Sequence, residues 1–341
     1  MTRYRVQLEP MGPFFTGMNS HARKAAALIH SDTLHGALMT VAAVGGSPWL
    51  DEAPRLRVSS LFPCWKNIHF YPKPFLPVPG VRDPKQSGEE DDKGRKQWKS
   101  IRLVSEGLLA AWLRGDPSVP EQTEVLGSGL AALKPEMDGK PRPLNAFLVR
   151  DLAPAVTVDR CAAGATPYDR HGLRLNTEEG VGAWFLVELP PERKDSFLEL
   201  AALLGTYGLG GERTVGYGRF NVLGMEELPT NSVLERTNGA NAVLTLSLYH
   251  PTRAEIAAGV LEGIAAYDCT LRGGWIHGTA GSDRPKRALR MCLEGSVFPA
   301  LNGVPPNGDV IDVRPVGFDK HPIWRSGLAF PAAFQHPGQT N

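Results

Sequence analysis

Polar and apolar residues alternate along TRYRVQLEP, and this predicts a strand that tolerates an edge position and ends at Pro10. After a loop, SDTLHGALMTVAAVGG changes period. Leu34, Leu38 and Val41 fall on one helical face, Ser31 or Asp32 can cap the start, and Gly45 and Gly46 close the end. Residues 62–79 hold Pro63, Pro72, Pro74, Pro77 and Pro79, which argues against a helix or a central strand. DPKQSGEEDDKGRKQ, 83–97, has no period and predicts a mobile hairpin or loop.

Apolar signals return with VGAWFLVEL (181–189), a strand, and DSFLELAALLGTYG (195–208), a helix with Asp195 as its expected cap. A glycine-rich stretch follows, then GYGRFNVLGME as a strand; PTNSVLERTNGAN (229–241) reads as a linker. Beyond it the order restarts: AVLTLSLYH (242–250) as strand, TRAEIAAGVLEGI (252–264) as helix, then AAYDCTLRGGW (265–275), RALRMCLEGSVF (287–298) and FDKHPIWRSGLAF (318–330) as strands or loop and strand. The expected fold class is α+β: two tandem ferredoxin-like (RRM-like) βαββαβ domains with long insertions and a glycine-rich loop. The first spans 1–228, with insertions at about 62–180 and the loop at 208–218; the second spans 240–341.

Composition narrows the function classes only a little. With 42% hydrophobic residues, the 341-residue chain can fill two cores of ordinary size. Lys and Arg total 37 against 36 Asp and Glu, so any basic surface is local. The four cysteines, at 64, 161, 269 and 292, form no C-x-x-C pair, which argues for reduced thiols and against a zinc ribbon or a disulfide scaffold. No apolar run has signal-peptide or bilayer-spanning character, so the expected location is the cytoplasm, with no membrane partner.

The densest chemistry lies in GLGGERTVGYGRF, 208–220. It lacks the lysine of a phosphate-binding P-loop, and it follows a helix and precedes a strand, the reverse of both nucleotide-binding arrangements. Gly208, Gly210, Gly211, Gly216 and Gly218 can expose backbone N–H groups, with Arg213, Thr214, Tyr217 and Arg219 between them. Guanidinium and N–H groups suit phosphodiester oxygens, and tyrosine suits an unstacked base. A plain turn returning a helix to its sheet is the competing reading, though one or two glycines would suffice for it.

Several segments, taken in order, carry a family likeness. IHSDTLHGAL, FYPKPFLP, KQWKSIRLVSEGLLAAWL, GVGAWFLVEL, GLGGERTVGYGRF, LRGGWIHG and HPIWRSGLAF together resemble the RAMP superfamily of CRISPR proteins. Within it, they resemble the fourth subunit of type III-A (Csm) interference complexes. The resemblance implies a non-catalytic RNA-binding subunit, without cofactor or metal. It would hold the repeat-derived 5′ handle of the CRISPR RNA. Its partners would be the large polymerase-like subunit, the adjacent backbone RAMP subunit and target RNA near the handle-proximal end of the heteroduplex. The family also inserts a hairpin thumb there, for which the stretch around 80–100 is a candidate.

The candidate RNA-binding residues divide by setting. His30, Ser31 and Asp32 precede or open the first helix, where they either cap it or face a phosphate or base. Lys73 and Phe75 sit between prolines in an extended segment that either presents a cation and a ring or straps the core. Gly210, Gly211, Arg213, Thr214, Gly216, Tyr217 and Gly218 form the loop itself; Arg272, Trp275 and Arg325 belong to the second domain. KGRKQWK (93–99) and RPKR (284–287) are further basic runs, each readable as solvated surface. The competing class is a metal-independent endoribonuclease, with His30, His35 or His277 as general acid or base. The equivalent subunit of another type III subtype is a third reading.

Overall fold

The computed structural model describes residues 1–15, 27–47, 49, 55–81, 92–140, 146–159, 161, 164–229, 232, 234, 239–276 and 284–337. His277, residues 82–91 of the charged stretch and much of the expected linker lie outside the described residues.

The N-terminal part carries β1 (Thr2–Pro10), α1 (Ser31–Val44), β2 (Arg57–Val58), β3 (Phe62–Trp65), β4 (Ile68–Pro72), α2 (Asp92–Ser100), β5 (Leu103–Ser105), α3 (Glu106–Leu113) and α4 (Val119–Gln122). It continues with β6 (Thr123–Gly127), β7 (Leu130–Leu133), β8 (Leu148–Val158), β9 (Ala165–Leu175), β10 (Val181–Leu189), α5 (Lys194–Tyr207) and β11 (Phe220–Glu227). One nine-stranded sheet runs β11-β1-β10-β3-β4-β5-β7-β6, with β2 also paired to β10. All pairings are antiparallel except β5 with β7.

This geometry corrects several expectations. β1 is interior, paired to β10 on one side and β11 on the other, and its inward side chains Tyr4, Val6 and Leu8 are buried. Pro63 stands inside β3, a central strand, opposite Ala183, and its carbonyl accepts from the Trp184 indole at 2.9 Å. The indole satisfies the Pro63 carbonyl, and proline has no N–H that would be left unpaired. Residues 92–100 are helical rather than a loop. Neither Asp195 nor a hydroxyl caps its helix: Arg193 precedes α5 and His30 precedes α1, and neither makes a side-chain capping bond.

The C-terminal part holds β12 (Ala242–Thr245), α6 (Arg253–Ala257), β13 (Cys269–Arg272), β14 (Leu289–Cys292), β15 (Val297–Pro299), β16 (Val310–Asp312), β17 (Trp324–Ser326) and β18 (Pro331–Phe334). They make three small sheets, β15-β12-β18, β13-β14 and β16-β17. The helix expected over 252–264 stops after five residues, because Gly259 (φ 85°) and Gly263 (φ 63°) turn left-handed. The strand expected over 287–298 is two strands, broken at Gly295 (φ 87°).

Among the described residues, the largest apolar cluster draws on both parts of the chain. Leu244, Leu246, Val297, Phe330 and Ala332 belong to the same continuous apolar cluster as Val6, Leu38, Phe185 and Leu204. Satellite clusters gather around Tyr249 and Phe298, and around Val313 and Ile276.

Candidate nucleic-acid interface

The glycine-rich stretch is a tight excursion between α5 and β11. Gly208 ends the helix, with its N–H on the Leu204 carbonyl at 2.8 Å, and Leu209 is buried and donates to Gly218 at 2.9 Å. Gly218 (φ 72°) passes so close to Leu209 that any Cβ would strike its backbone, so this glycine is a closure requirement. Gly210 and Gly211 run against Phe15. Gly216 (φ 91°) differs, since a Cβ there would meet nothing within 4 Å. Between these points Arg213–Val215 make one 3₁₀ turn, with Thr214 exposed. Among the described residues, nothing accepts from the N–H groups of Gly210, Gly211 and Glu212. Nor does any partner hold the guanidinium groups of Arg213 and Arg219.

Tyr217 contributes in another way than expected. Its ring is buried (6% exposed), packed beside Gly172 and so closed to a stacking base, and its hydroxyl donates to Asp151 Oδ2 at 3.2 Å. Burial, then the Asp151 carboxylate, pushes the phenol above its ordinary pKa, so it stays a donor. Asp151 and Gly172 belong to β8 and β9, an eleven-residue antiparallel ribbon paired from Leu148↔Leu175 to Val158↔Ala165. Arg174 reaches the other oxygen of Asp151 at 2.9 and 3.1 Å, Arg170 pairs with Glu212 at 3.1 Å, and Phe14 exchanges backbone bonds with Leu173. The loop therefore clamps the base of a long ribbon whose Val149, Leu152, Val156, Val158 and Tyr168 are exposed. This ribbon, at 148–175, was not among the elements expected from the sequence. Its signal was the alternation in LVRDLAPAVTV and ATPYDRHGLRL across a turn.

The start of α1 is a joint. Ser31 is buried, takes a bond from Leu248 N–H at 2.9 Å and donates its own N–H to Ser60 Oγ at 2.8 Å. Asp32 accepts from Arg272 Nε at 3.0 Å and Nη2 at 2.8 Å, and Arg325 Nη1 stands 3.6 Å away. That last separation is an ion pair too long for a hydrogen bond, which leaves Nη1 without one while Nη2 donates to Gly273 O at 2.6 Å. Burial alone would raise the Asp32 carboxyl, but Arg272, then Arg325 and His30, hold it well below the usual carboxylate range. His30 meets Glu294 Oε1 at 2.8 Å; Glu294 is buried and also held by Ser60. His35 is fully buried. Arg272, Arg325, Ser31 and Asp32 are thus spent on joining the two parts of the chain, a long-range pairing that no local spacing signals.

The remaining candidates divide. Lys73 donates to the Trp98 carbonyl at 2.7 Å, its ammonium lowered by burial, and Phe75 N–H donates to Gly295 O at 2.9 Å. This segment is a strap, with the Phe75 ring half out. Trp275, a candidate for stacking a base, is 66% exposed, and Leu271 is 67% exposed. It lies on an arm formed by β13, β14 and the Trp275↔Pro285 bridge, which also carries Arg284, Lys286, Arg287 and Arg290. Lys286 belongs to the basic run RPKR. Burial, then Arg325, lowers its ammonium, which faces the Asp32 joint. No group of three or more His, Cys, Asp or Glu able to hold a metal occurs among the described residues, and no described helix is long and apolar enough to cross a membrane.

Residues 238–334 match the family model described as the CRISPR Csm4 C-terminal domain. A "CRISPR system Cms protein Csm4" of Mycobacterium tuberculosis (strain CDC 1551 / Oshkosh) is 27% identical over 300 residues, 86% of this chain and 86% of that protein. Its namesake in Methanocaldococcus jannaschii is 25% identical over 306 residues, 79% and 76% respectively. A chain of the crystal structure of the Csm3-Csm4 subcomplex in the type III-A CRISPR-Cas interference complex superposes with TM-score 0.65 at 19% identity, covering 99% of this chain and 100% of that one. A chain of the Csm1-Csm4 cassette in complex with pppApA does so at 0.58 and 19%, with the same coverage. Both superpositions give the mixed α+β fold around a large sheet.

Proposed function

Starting from a chain that is Csm4-like in its C-terminal domain, its relatives and its fold, we propose that it is a non-catalytic RNA-binding subunit of a type III-A CRISPR effector complex. It anchors the repeat-derived 5′ handle of the CRISPR RNA and joins the large polymerase-like subunit to a backbone RAMP subunit. The solved assemblies that pair Csm4 with Csm1 and with Csm3 support that placement by analogy. The first half supports the ferredoxin-like reading: the four strands β1, β3, β10 and β11, with α1 and α5, lie in the order β11-β1-β10-β3.

One observation carries the RNA reading. Arg213 and Arg219 have no partner among the described residues, and they follow the open backbone donors of Gly210–Glu212 on a loop that clamps an exposed ribbon. Two unpaired cations with preorganised N–H groups are an anion site of the kind that tracks a phosphodiester backbone. The ribbon then stands where a thumb would meet the guide and target near the handle. Exposed Trp275, on the basic arm, supplies a second surface for an unstacked base. Of the histidines weighed as general acid or base, His35 lies in the core and His30 is held by Glu294, which favours scaffold over nuclease at these two positions.

Fluorescence anisotropy with a labelled single-stranded RNA, titrated across salt, tests this. Wild-type affinity falls by about 0.7 log units per log unit of salt for each phosphate held. Changing Arg213 and Arg219 to Ala together lowers affinity and flattens that slope by about two contacts. An unchanged slope would reduce the loop to a turn.

A further inference from the structure

Cys269 and Cys292 sit opposite each other at the base of the basic arm, one on β13 and one on β14, with Sγ atoms 3.9 Å apart. Both are free thiols, Cys269 exposed and Cys292 buried. Their pairing is of the kind that leaves side chains close. Cys292 spends its backbone N–H and carbonyl on Tyr249, at 2.8 and 3.0 Å, so the Cys269↔Cys292 pair exchanges no backbone hydrogen bonds across the ribbon. In antiparallel sheets such non-hydrogen-bonded partners bring Cα atoms to about 4.5 Å, within the range a disulfide spans. The sulfurs need only side-chain rotation to close from contact to a bond of about 2.05 Å.

We propose that Cys269 and Cys292 form a reversible cross-strand disulfide that staples the base of the arm. The oxidant is a low-molecular-weight disulfide. The Cys269 sulfur, the one that solvent reaches, attacks a reagent sulfur as thiolate, forming a mixed disulfide and releasing one reagent thiol. Cys292 then gives up its proton and attacks the Cys269 sulfur, and the second reagent thiol leaves. Two protein thiols are oxidised to one disulfide, and one reagent disulfide is reduced to two thiols. Burial and the neighbouring sulfur raise the Cys292 thiol, so Cys292 is not the sulfur that attacks the reagent first.

The bond would close a ring over 269–292, the segment that includes Arg272, Trp275 and Lys286. Arg272 lies on the same strand as Cys269 and donates to Asp32, so the staple would hold the β13–β14 register that delivers this arginine to the joint. Neither other cysteine offers such a pair: Cys64 is buried in β3 and Cys161 lies exposed by the tip of the long ribbon.

The test treats the full-length chain with oxidised glutathione, followed by intact mass and peptide mapping under non-reducing conditions. The expected product has lost two hydrogens at this pair, carries a 269–292 linked peptide, and reverts with dithiothreitol. Cys161 takes up glutathione as an internal control that the reagent is active. In Cys269→Ser, at an exposed position that leaves the fold intact, the linked peptide disappears. Glutathione retained on Cys269, or Cys269 left free while Cys161 is modified, would overturn the proposal. RNA affinity of the reduced protein is read separately and bears on the loop alone.

Discussion

At the scale of single residues, the arginines of this chain divide into those consumed by the fold and those left over. Arg272 and Arg325 converge on Asp32, and both guanidinium groups lose their counter-charge if it goes. Asp32→Asn is expected to destabilise the protein at pH 7 by about 3–5 kcal/mol, as for other broken buried pairs. Because the folded-state pKa is depressed, this contribution is fully present above the unfolded carboxylate value of 3.8 and fades as pH falls below it. Denaturant melts of wild type and variant should therefore diverge most at neutral pH and converge in acid; a constant gap would contradict the assignment. Arg213 belongs to the other group. Arg213→Ala is expected to leave the melting temperature within about 2 °C, since surface changes of this kind cost under 0.5 kcal/mol, while removing about one phosphate contact from the salt slope.

Elements were legible in proportion to how local their causes are. β1, β10, α5 and β11 follow from alternation and from 3.6-residue spacing, and they stand where TRYRVQLEP, VGAWFLVEL and DSFLELAALLGTYG place them. The ribbon β8–β9 was harder to see because it carries Pro154 and Pro167 and few core residues; only its pairing reveals the period of two. The candidate site was half legible. The glycines and Arg213 were visible as a loop with anion-binding chemistry, but Tyr217 became a clamp through Asp151, 66 residues away in sequence. Tyr217→Phe deletes that bond, worth about 1 kcal/mol, and should raise amide exchange in 148–175 about fivefold without affecting β1 and β10. Equal acceleration everywhere would mean that the hydroxyl stabilises the fold globally instead of orienting the ribbon.

For the molecule as a whole, the expected separation at 229–241 gives way to a shared core. Apolar periodicity marks which residues are buried but not against what, so Leu246 and Phe330 could not be assigned in advance to the core of Val6 and Phe185. The consequence is cooperative: residues 240–341 expressed alone should lack protected amides, and the full chain should unfold in one transition by calorimetry. A stable, separately melting C-terminal fragment would contradict this. Under the proposed function, this shared core would hold one RNA end against two protein neighbours at once. The most direct test is to co-express the chain with the large polymerase-like subunit and a CRISPR array, purify in chelating buffer, and sequence the 5′ ends of the bound RNA. A uniform repeat-derived 5′ end, lost when Arg213 and Arg219 are changed to Ala together, is the predicted result. Random RNA ends, or ends unaltered by the double change, would contradict it.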